Sequence, residues 1–262
     1  MAATLDQILT STRQSIAALR PRLAELEGRA LRTPQSPGFT AALRGERVAV
    51  IAEVKRRSPS AGVINPDLDP AERAAMYVEA GAAAISVLTD GPFFGGSMAD
   101  LEAVVQRAPV PVLRKDFILD EVQIFEARAA GAAAVLLIVR ALAPARLSQL
   151  LACARRVGLE ALVEVHTGAE LETAIGAGAT VIGVNSRDLD SFRIDVESAW
   201  RLLGMVPPAK VAVAESGMAA IGDVQRAAAA GADAVLIGTA LSAAPDPGTA
   251  VKALTGVRRR AR

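Results

Sequence analysis

One short pattern decides the fold and occurs four times, as AGAAAISV at 80–87, AGAAAVLL at 130–137, AGATVIGV at 177–184 and AGADAVLI at 230–237. The glycines of the four copies lie 47 to 53 residues apart, and a regular period of this size indicates repeated architecture. Each glycine follows a helix-like stretch, which it can end in the left-handed conformation, and precedes an apolar run typical of a buried strand. Each copy therefore predicts a turn from a helix into a strand.

Four further strands are predicted between these copies, near 48–54, 111–115, 161–165 and 211–214, each followed by a helix-like segment. Strands that alternate with helices run parallel and are covered by those helices. An open doubly wound sheet would share this pattern. Eight regular units in 262 residues favour closure instead, and no GxGxxG follows the first strand. We therefore expect an α/β protein with a (β/α)8 TIM barrel.

The domain organisation predicted from the sequence is one TIM-barrel domain over 1–262, with the barrel itself at about 47–254. Residues 1–46 are predicted to form an N-terminal helical extension, which TPQSPG at 33–38 interrupts. Residues 255–262 are rich in arginine and form a basic tail, and a charge run of this kind is usually solvated.

Composition argues against several classes of function. Hydrophobic residues make up 52% of the chain and charged residues 22%, which is typical of a globular protein, and the net charge of +1 gives little attraction for nucleic acid. One cysteine, Cys153, excludes an internal disulfide, and one histidine, His166, excludes a multi-histidine metal site. The start of the chain does not resemble a signal peptide, and no apolar run reaches the roughly 20 residues of a membrane span. We therefore expect a cytoplasmic protein without nucleic-acid or membrane partners.

Charged and polar residues at the ends of apolar strands are the main functional signal, because barrels of this class carry their active sites at the carboxyl ends of the strands. These residues are Glu53, Lys55, Lys115, Glu164, Asn185, Arg187, Glu215 and Ser216. The strand period of two places Glu53 and Lys55 on one face, and the barrel interior is the natural face for both. An internal ion pair without chemistry is the alternative, although such pairs are weak stabilisers.

Lysine is rare in this chain, with four lysines against twenty-five arginines, yet Lys55 and Lys115 both end predicted barrel strands. Arginine does not give up its proton in a protein, whereas a partly buried lysine can be tuned to act as an acid or to form a Schiff base. These two lysines are therefore the candidates for proton chemistry. His166 shares a face with Glu164, but a single histidine at a strand end is more often structural, and Glu164 already supplies a base.

The turns after the seventh and eighth strands read ESG at 215–217 and GTA at 238–240. Glycines there let backbone N–H groups approach a phosphate, and this is the habitual phosphate position of the fold. We expect Gly217, Gly238 and Thr239 to contact a phosphate, with ordinary tight turns as the alternative.

Six motifs together resemble the indole-3-glycerol phosphate synthase family, in order from about Val48 to Leu241. They are IAEVKRRSPSAG at 51–62, VLRKDFILDEVQI at 112–124, LVEVH at 162–166, GVNSRDL at 183–189, VAESG at 213–217 and LIG at 236–238. The resemblance implies a carboxy-lyase of tryptophan biosynthesis. Its substrate would be 1-(2-carboxyphenylamino)-1-deoxy-D-ribulose 5-phosphate, converted by ring closure, decarboxylation and dehydration to 1-C-(indol-3-yl)glycerol 3-phosphate.

The resemblance also implies roles for individual residues. Lys115 would be a general acid that assists ring closure, Glu164 would handle protons or stabilise the cationic intermediate, and Glu53 and Lys55 would complete the proton-transfer set. Which lysine serves cyclisation and which serves dehydration stays open. The remaining matches are active-site positions at Asn185, Arg187, Glu215 and Ser216, the surroundings of the anthranilate ring at Phe94, Phe117, Leu136 and Leu189, and a substrate contact at Ser58.

The reaction implied by the resemblance needs neither a metal nor an organic cofactor, and its partner is a phosphorylated small molecule. Association with other enzymes of the tryptophan pathway stays open. The enzymatic rival is a phosphosugar aldolase or isomerase on the same barrel, in which Lys115 forms a Schiff base. The non-enzymatic rival is a phosphate-binding barrel with a structural or regulatory role, and the complete set of charged residues argues against it.

Overall fold

Eight parallel strands close into a barrel in the computed structural model, which describes residues 4–260 and 262. The strands, β1 to β8 in chain order, are Ala49–Val54, Ala84–Leu88, Val112–Lys115, Ala134–Ile138, Glu160–Val165, Val181–Asn185, Val211–Glu215 and Ala234–Ile237. Each strand pairs with its neighbours along the chain, and β1 closes the ring against β8, with Ala49 beside Ala234. The predicted (β/α)8 barrel is confirmed.

Helices follow the strands, and the longer ones cover the outer face of the barrel. They are Pro70–Glu79, Gly91–Phe94, Met98–Arg107, Glu121–Ala129, Pro144–Arg156, Gly168–Gly176, Val196–Leu203, Ile221–Ala229, Thr239–Ser242 and Pro247–Lys252, with a 3-10 turn at Val139–Ala141. The glycines of the four repeats, Gly81, Gly131, Gly178 and Gly231, all have φ between 82° and 99°, as the repeat pattern predicts. A two-stranded hairpin, Arg57–Ser58 with Gly62–Val63, lies in the loop after β1. Within residues 4–260, no helix combines the length and apolar character that crossing a bilayer requires.

Two apolar layers hold the barrel together, one between the strands and the helices and one inside the barrel. In β4, Val135 and Leu137 face the helices, whereas Leu136 and Ile138 face the interior. This alternation is what the strand period of two requires. For the same reason, polar residues that alternate with outward-facing valines point toward the interior. This arrangement positions the site described below.

The N-terminal extension runs along the barrel from one end to the other. Helix Leu5–Leu19 buries Leu5 and Ile8 against the interior layer at the carboxyl ends of the strands. The next helix, Leu23–Arg32, packs along Glu121–Ala129. The chain then reaches the opposite end of the barrel, where the carboxylate of Glu160, the first residue of β5, accepts hydrogen bonds from the backbone N–H groups of Phe39 and Thr40 at 2.6 and 3.0 Å.

The interruption predicted at 33–38 is present, and a buried arginine fixes it. Arg128 donates to the backbone carbonyls of Thr33 and Pro34, both at 2.8 Å, and to that of Val157 at 2.9 Å. Its guanidinium replaces the helical hydrogen bonds that this segment lacks. The extension is therefore attached to the barrel at the break as well as along its helices.

The basic C-terminal segment is solvated only in part: Arg258 and Arg260 are exposed, as a solvated charge run would be, whereas Arg259 and Arg262 are partly buried. Arg259 and Arg262 both contact the buried carboxylate of Asp233, at 2.6 and 2.7 Å, and Arg262 also donates to the backbone carbonyl of Lys210 at 2.8 Å. A buried carboxylate needs compensating charge, and these two arginines supply it. These two arginines of the charge run therefore pack at the amino end of β8, next to Asp233.

Candidate active site

The carboxyl ends of the strands surround a cavity of about 440 Å³. Every candidate residue from the sequence lines it, namely Glu53, Lys55, Ser58, Phe94, Lys115, Phe117, Leu136, Glu164, Asn185, Arg187, Leu189, Glu215, Ser216, Gly217, Gly238 and Thr239. The strand periodicity explains this convergence, because in β1 and β5 the carboxylates of Glu53 and Glu164 alternate with valines that face the helices. The structure thus brings together one set of charged, polar and aromatic side chains.

Glu53 and Lys55 form a buried ion pair, with 2.8 Å between Glu53 Oε1 and Lys55 Nζ. Burial, the largest influence, raises the pKa of Glu53, but attraction from Lys55 and Lys115 outweighs it, so the pKa lies below its ordinary value. Glu53 is therefore ionised and can hold the Lys55 ammonium in a fixed position.

Lys115 lies between two further carboxylates. Its Nζ is 3.6 Å from Glu164 Oε2 and 4.0 Å from Glu215 Oε2. Burial alone would lower the pKa of Lys115, but the negative charges of Glu164, Glu215 and Glu53 raise it above the ordinary value. Lys115 therefore carries its proton and can donate it to a group in the cavity.

Several buried polar atoms of the cavity have no hydrogen-bond partner within residues 4–260 and 262. They are both carboxylate oxygens of Glu164 and Oε1 of Glu215, and Nε2 of His166, a residue next to Glu164 that does not line the cavity, is a further such atom. Burial and the nearby charge of Glu164 raise the pKa of Glu215 well above its ordinary value, so the two carboxylates beside Lys115 need not both be charged. Unsatisfied buried groups are rare in native proteins, and their concentration here marks the cavity as a place where a ligand binds.

Two glycines make room for the buried carboxylates. A Cβ atom on Gly183 in β6 would collide with the Glu215 carboxylate, and one on Gly238 after β8 would collide with the carboxylate of Glu53 and approach Lys55 Nζ at 2.9 Å. The sequence predicted a phosphate contact for Gly238 and no role for Gly183. A glycine inside an apolar strand often marks a place where another group comes close to the backbone. This pattern was the sequence signal for the role of Gly183.

The apolar wall of the cavity contains Phe94 and Phe117, whose ring centroids lie 6.3 Å apart at an angle of 40°. Asp90 places Phe94, because its carboxylate accepts hydrogen bonds from the backbone N–H groups of Phe93 and Phe94 and caps their short helix. Leu5 and Ile8 also line the cavity from the extension, and neither was predicted from the sequence. Their spacing of three residues, on a helix that also buries Leu9, was a detectable sign of a buried face.

The polar end of the cavity contains the turns after β7 and β8. Ser216 and Gly217 both have positive φ, at 65° and 72°, which turns the chain sharply after Glu215. Thr239 begins the short helix that follows Gly238. Arg187 lines the same cavity, and its guanidinium donates to the backbone carbonyl of Phe192 at 3.2 Å. This end offers backbone N–H groups and a cation, which suit an anionic group.

Solved structures with a similar fold include a crystal structure of 3-hexulose-6-phosphate synthase and the thiamine phosphate pyrophosphorylase of Pyrococcus furiosus. The first has a TM-score of 0.64 at 15% identity and covers 79% of this chain and 98% of its own. The second has a TM-score of 0.60 at 18% identity, with 79% and 93% covered. At these identities the likeness concerns the barrel fold alone.

The sequence relatives are much closer than these structures. "Indole-3-glycerol phosphate synthase 2" of Streptomyces coelicolor is 52% identical and covers 89% of this chain and 90% of its own length. "Indole-3-glycerol phosphate synthase" of Desulfosudis oleivorans is 46% identical, with 97% and 99% covered. The sequence model of the family described as indole-3-glycerol phosphate synthase matches residues 5–254. This chain therefore belongs to the indole-3-glycerol phosphate synthase family.

Proposed function

We propose that the cavity converts 1-(2-carboxyphenylamino)-1-deoxy-D-ribulose 5-phosphate into 1-C-(indol-3-yl)glycerol 3-phosphate, with loss of carbon dioxide and water. The activity that goes with membership of the family is a carboxy-lyase reaction of tryptophan biosynthesis. One observation carries the assignment of the site: a buried lysine, Lys115, lies between two carboxylates, next to an aromatic wall. The cytoplasmic location and the phosphorylated small-molecule partner expected from the sequence are part of the same proposal.

Ring closure requires that an aromatic carbon attack the substrate carbonyl while the carbonyl oxygen gains a proton. The pKa of Lys115, raised by its carboxylate neighbours, keeps the ammonium form available as the donor. Loss of carbon dioxide then returns its bonding electron pair to the ring. Glu53 keeps a second ammonium, that of Lys55, within the cavity, so two acids are present for the two steps in which oxygen gains a proton.

Glu164 is suited to the opposite role. Its carboxylate is buried, faces the cavity and has no hydrogen-bond partner within residues 4–260 and 262. Such a group can accept the proton lost when the indole forms, and its negative charge stabilises a cationic intermediate. The proximity of Lys115, at 3.6 Å, allows a donor and an acceptor to act on the same substrate.

The aldolase alternative requires an unprotonated lysine, because a Schiff base forms through the free amine. The raised pKa of Lys115 disfavours that form.

The purified protein should produce indole fluorescence when it is incubated with the carboxyphenylamino substrate. Reduction with borohydride in the presence of an open-chain phosphosugar should leave Lys115 unmodified, and a covalent adduct on this residue would support the aldolase instead.

Inorganic phosphate should compete with the substrate at the turns after β7 and β8. The substitution Thr239→Asp should weaken the binding of the substrate and the binding of phosphate. Two unit charges about 4 Å apart repel by roughly 1 to 4 kcal/mol between bulk water and a protein surface, so KM and the inhibition constant of phosphate should each rise about tenfold or more. Inhibition assays measure both constants. Ser148→Asp, an exposed site on an outer helix, is the control. If Thr239→Asp leaves phosphate inhibition unchanged, the phosphate binds elsewhere.

Phe94→Ala and Phe117→Ala should each raise KM about tenfold while kcat changes little. Full burial of a phenylalanine contributes roughly 1.5 to 3 kcal/mol, and contact with an aromatic ring acts in the ground state and the transition state alike. Steady-state kinetics separate the two constants. Phe93→Ala is the matched control, because Phe93 lies on the same short helix and does not line the cavity. Normal substrate binding in both variants would refute the proposed aromatic wall.

A further inference from the structure

His166 is a buried histidine that the proposed reaction does not use. It follows β5, two residues after Glu164, and its side chain is 4% exposed. The carboxylate of Glu170, in the first turn of the next helix, fixes it twice: Oε2 accepts a hydrogen bond from the backbone N–H of His166 at 2.7 Å and lies 3.2 Å from the ring atom Nδ1. The imidazole therefore has one defined orientation.

The other ring nitrogen of His166 faces the cavity carboxylate. Nε2 lies 3.5 Å from Glu164 Oε1, and it has no hydrogen-bond partner within residues 4–260 and 262. The second oxygen of Glu164, Oε2, faces Lys115 at 3.6 Å. Glu164 is thus flanked by His166 on one oxygen and by Lys115 on the other.

The anchor of His166 is itself held by a neighbouring element. Arg140, in the turn after β4, donates from Nε to Glu170 Oε1 at 3.2 Å and from Nη1 to Asp188 Oδ2 at 2.8 Å. Asp188 lies in the loop that carries Arg187 and Leu189 into the cavity. The orientation of His166 is therefore set by contacts with segments that follow three successive strands, β4, β5 and β6.

A proton has to lie between His166 Nε2 and Glu164 Oε1 for this contact to be favourable, because two lone pairs would otherwise face each other. With the proton on Nε2, as the role of Glu164 as a proton acceptor requires, closing the 3.5 Å separation would form a hydrogen bond that stops the Glu164 carboxylate from rotating. Catalytic hydrogen bonds are often long without substrate and shorten in the reacting complex, which fits the 3.5 Å separation.

We propose that His166 is a positioning residue that holds the carboxylate of Glu164 in the orientation facing Lys115. The proposal rests on the role in proton transfer given to Glu164 above. A misplaced catalytic group can cost about a hundredfold in rate, whereas the substrate contacts that determine binding are made by other residues. The loss of His166 should therefore appear in kcat and not in KM.

The test compares His166→Gln with His166→Asn. The amide nitrogen of glutamine lies close to the position of Nε2 and can still donate to Glu164, whereas that of asparagine lies near Nδ1 and cannot reach it. His166→Asn should lower kcat about tenfold to a hundredfold with KM unchanged. His166→Gln should recover most of that loss, and thermal unfolding should show similar stability for the two variants.

Wild-type kcat in His166→Asn would overturn the proposal, and so would equal losses in the two variants. If His166→Asn does not fold, Glu170→Ala takes its place, since it leaves the imidazole present without its anchor. That variant should also lose kcat at constant KM, and an unchanged kcat would contradict the proposal. Glu164→Gln distinguishes a failure of the proposed role of Glu164 from a failure of the positioning by His166. An active Glu164→Gln enzyme would refute the role of Glu164 itself, whereas an inactive one beside a fully active His166→Asn would refute only the positioning by His166.

Discussion

Lys115→Met is expected to lower turnover by about 10²- to 10⁴-fold, the usual contribution of a general acid. Methionine keeps the approximate length of the side chain but has no proton to donate. Stopped assays with the carboxyphenylamino substrate measure kcat, and circular dichroism and thermal unfolding check that the barrel is folded. Lys252→Met is the matched control, because Lys252 is exposed on the last helix and does not line the cavity.

The loss of the Lys115 ammonium removes the cation between Glu164 and Glu215, but it need not unfold the protein. The pKa of Glu215 is already raised by burial and by the charge of Glu164, so this carboxyl can take up a proton when the lysine is gone. We therefore expect a folded and nearly inactive variant. Wild-type turnover in a folded Lys115→Met protein would remove Lys115 from the mechanism.

Glu164→Gln is expected to lower kcat by about 10²- to 10³-fold with little change in KM. Glutamine preserves the shape of the side chain but neither accepts a proton at neutral pH nor stabilises a cation by charge. Single-turnover kinetics measure the chemical step directly, and steady-state kinetics give KM. Glu172→Gln, on the exposed face of the helix after β5, makes the same substitution outside the cavity.

Two results would contradict this expectation for Glu164→Gln. A rise in KM with normal kcat would assign Glu164 to substrate binding, in both the ground state and the transition state. A normal single-turnover rate with slow steady-state turnover would assign it to product release. Only a slower chemical step agrees with a carboxylate that acts during the reaction.

The sequence was sufficient to predict the barrel and the convergence of its charged residues, because both follow from local periodicity. Each repeat contains a helix, a glycine with positive φ and an apolar strand, so the alternation is visible without any long-range information. The period of two in IAEV and LVEV turns Glu53 and Glu164 inward, while the valines beside them face the helices. Their place at the carboxyl ends of parallel strands then brings them to the same mouth.

Contacts between distant segments could not be predicted in the same way. The pairing of Arg259 and Arg262 with Asp233 depends on where the tail crosses the end of the barrel, and a charge run alone gives no sign of it. The contacts that orient His166 also join distant segments, since Arg140, which binds its partner Glu170, comes from another repeat. Buried polar groups recruit partners wherever the fold brings them, and single-sequence patterns carry little information about that pairing.

The path of the N-terminal extension has a consequence for the order in which the protein can mature on the ribosome. Helix Leu5–Leu19 is synthesised before the barrel, but the partners of the extension are Glu121–Ala129 and, for Phe39, the carboxylate of Glu160. At about 5–20 residues per second, the interval between translation of Phe39 and of Glu160 is roughly 6 to 24 s. During this interval the apolar face formed by Leu5, Ile8 and Leu9 has only an unclosed part of the barrel to pack against, and an emerging chain with such a face is a natural client for chaperones. A segment that is translated before the barrel is therefore among the last to dock, and the mouth of the cavity is completed only when most of the barrel exists.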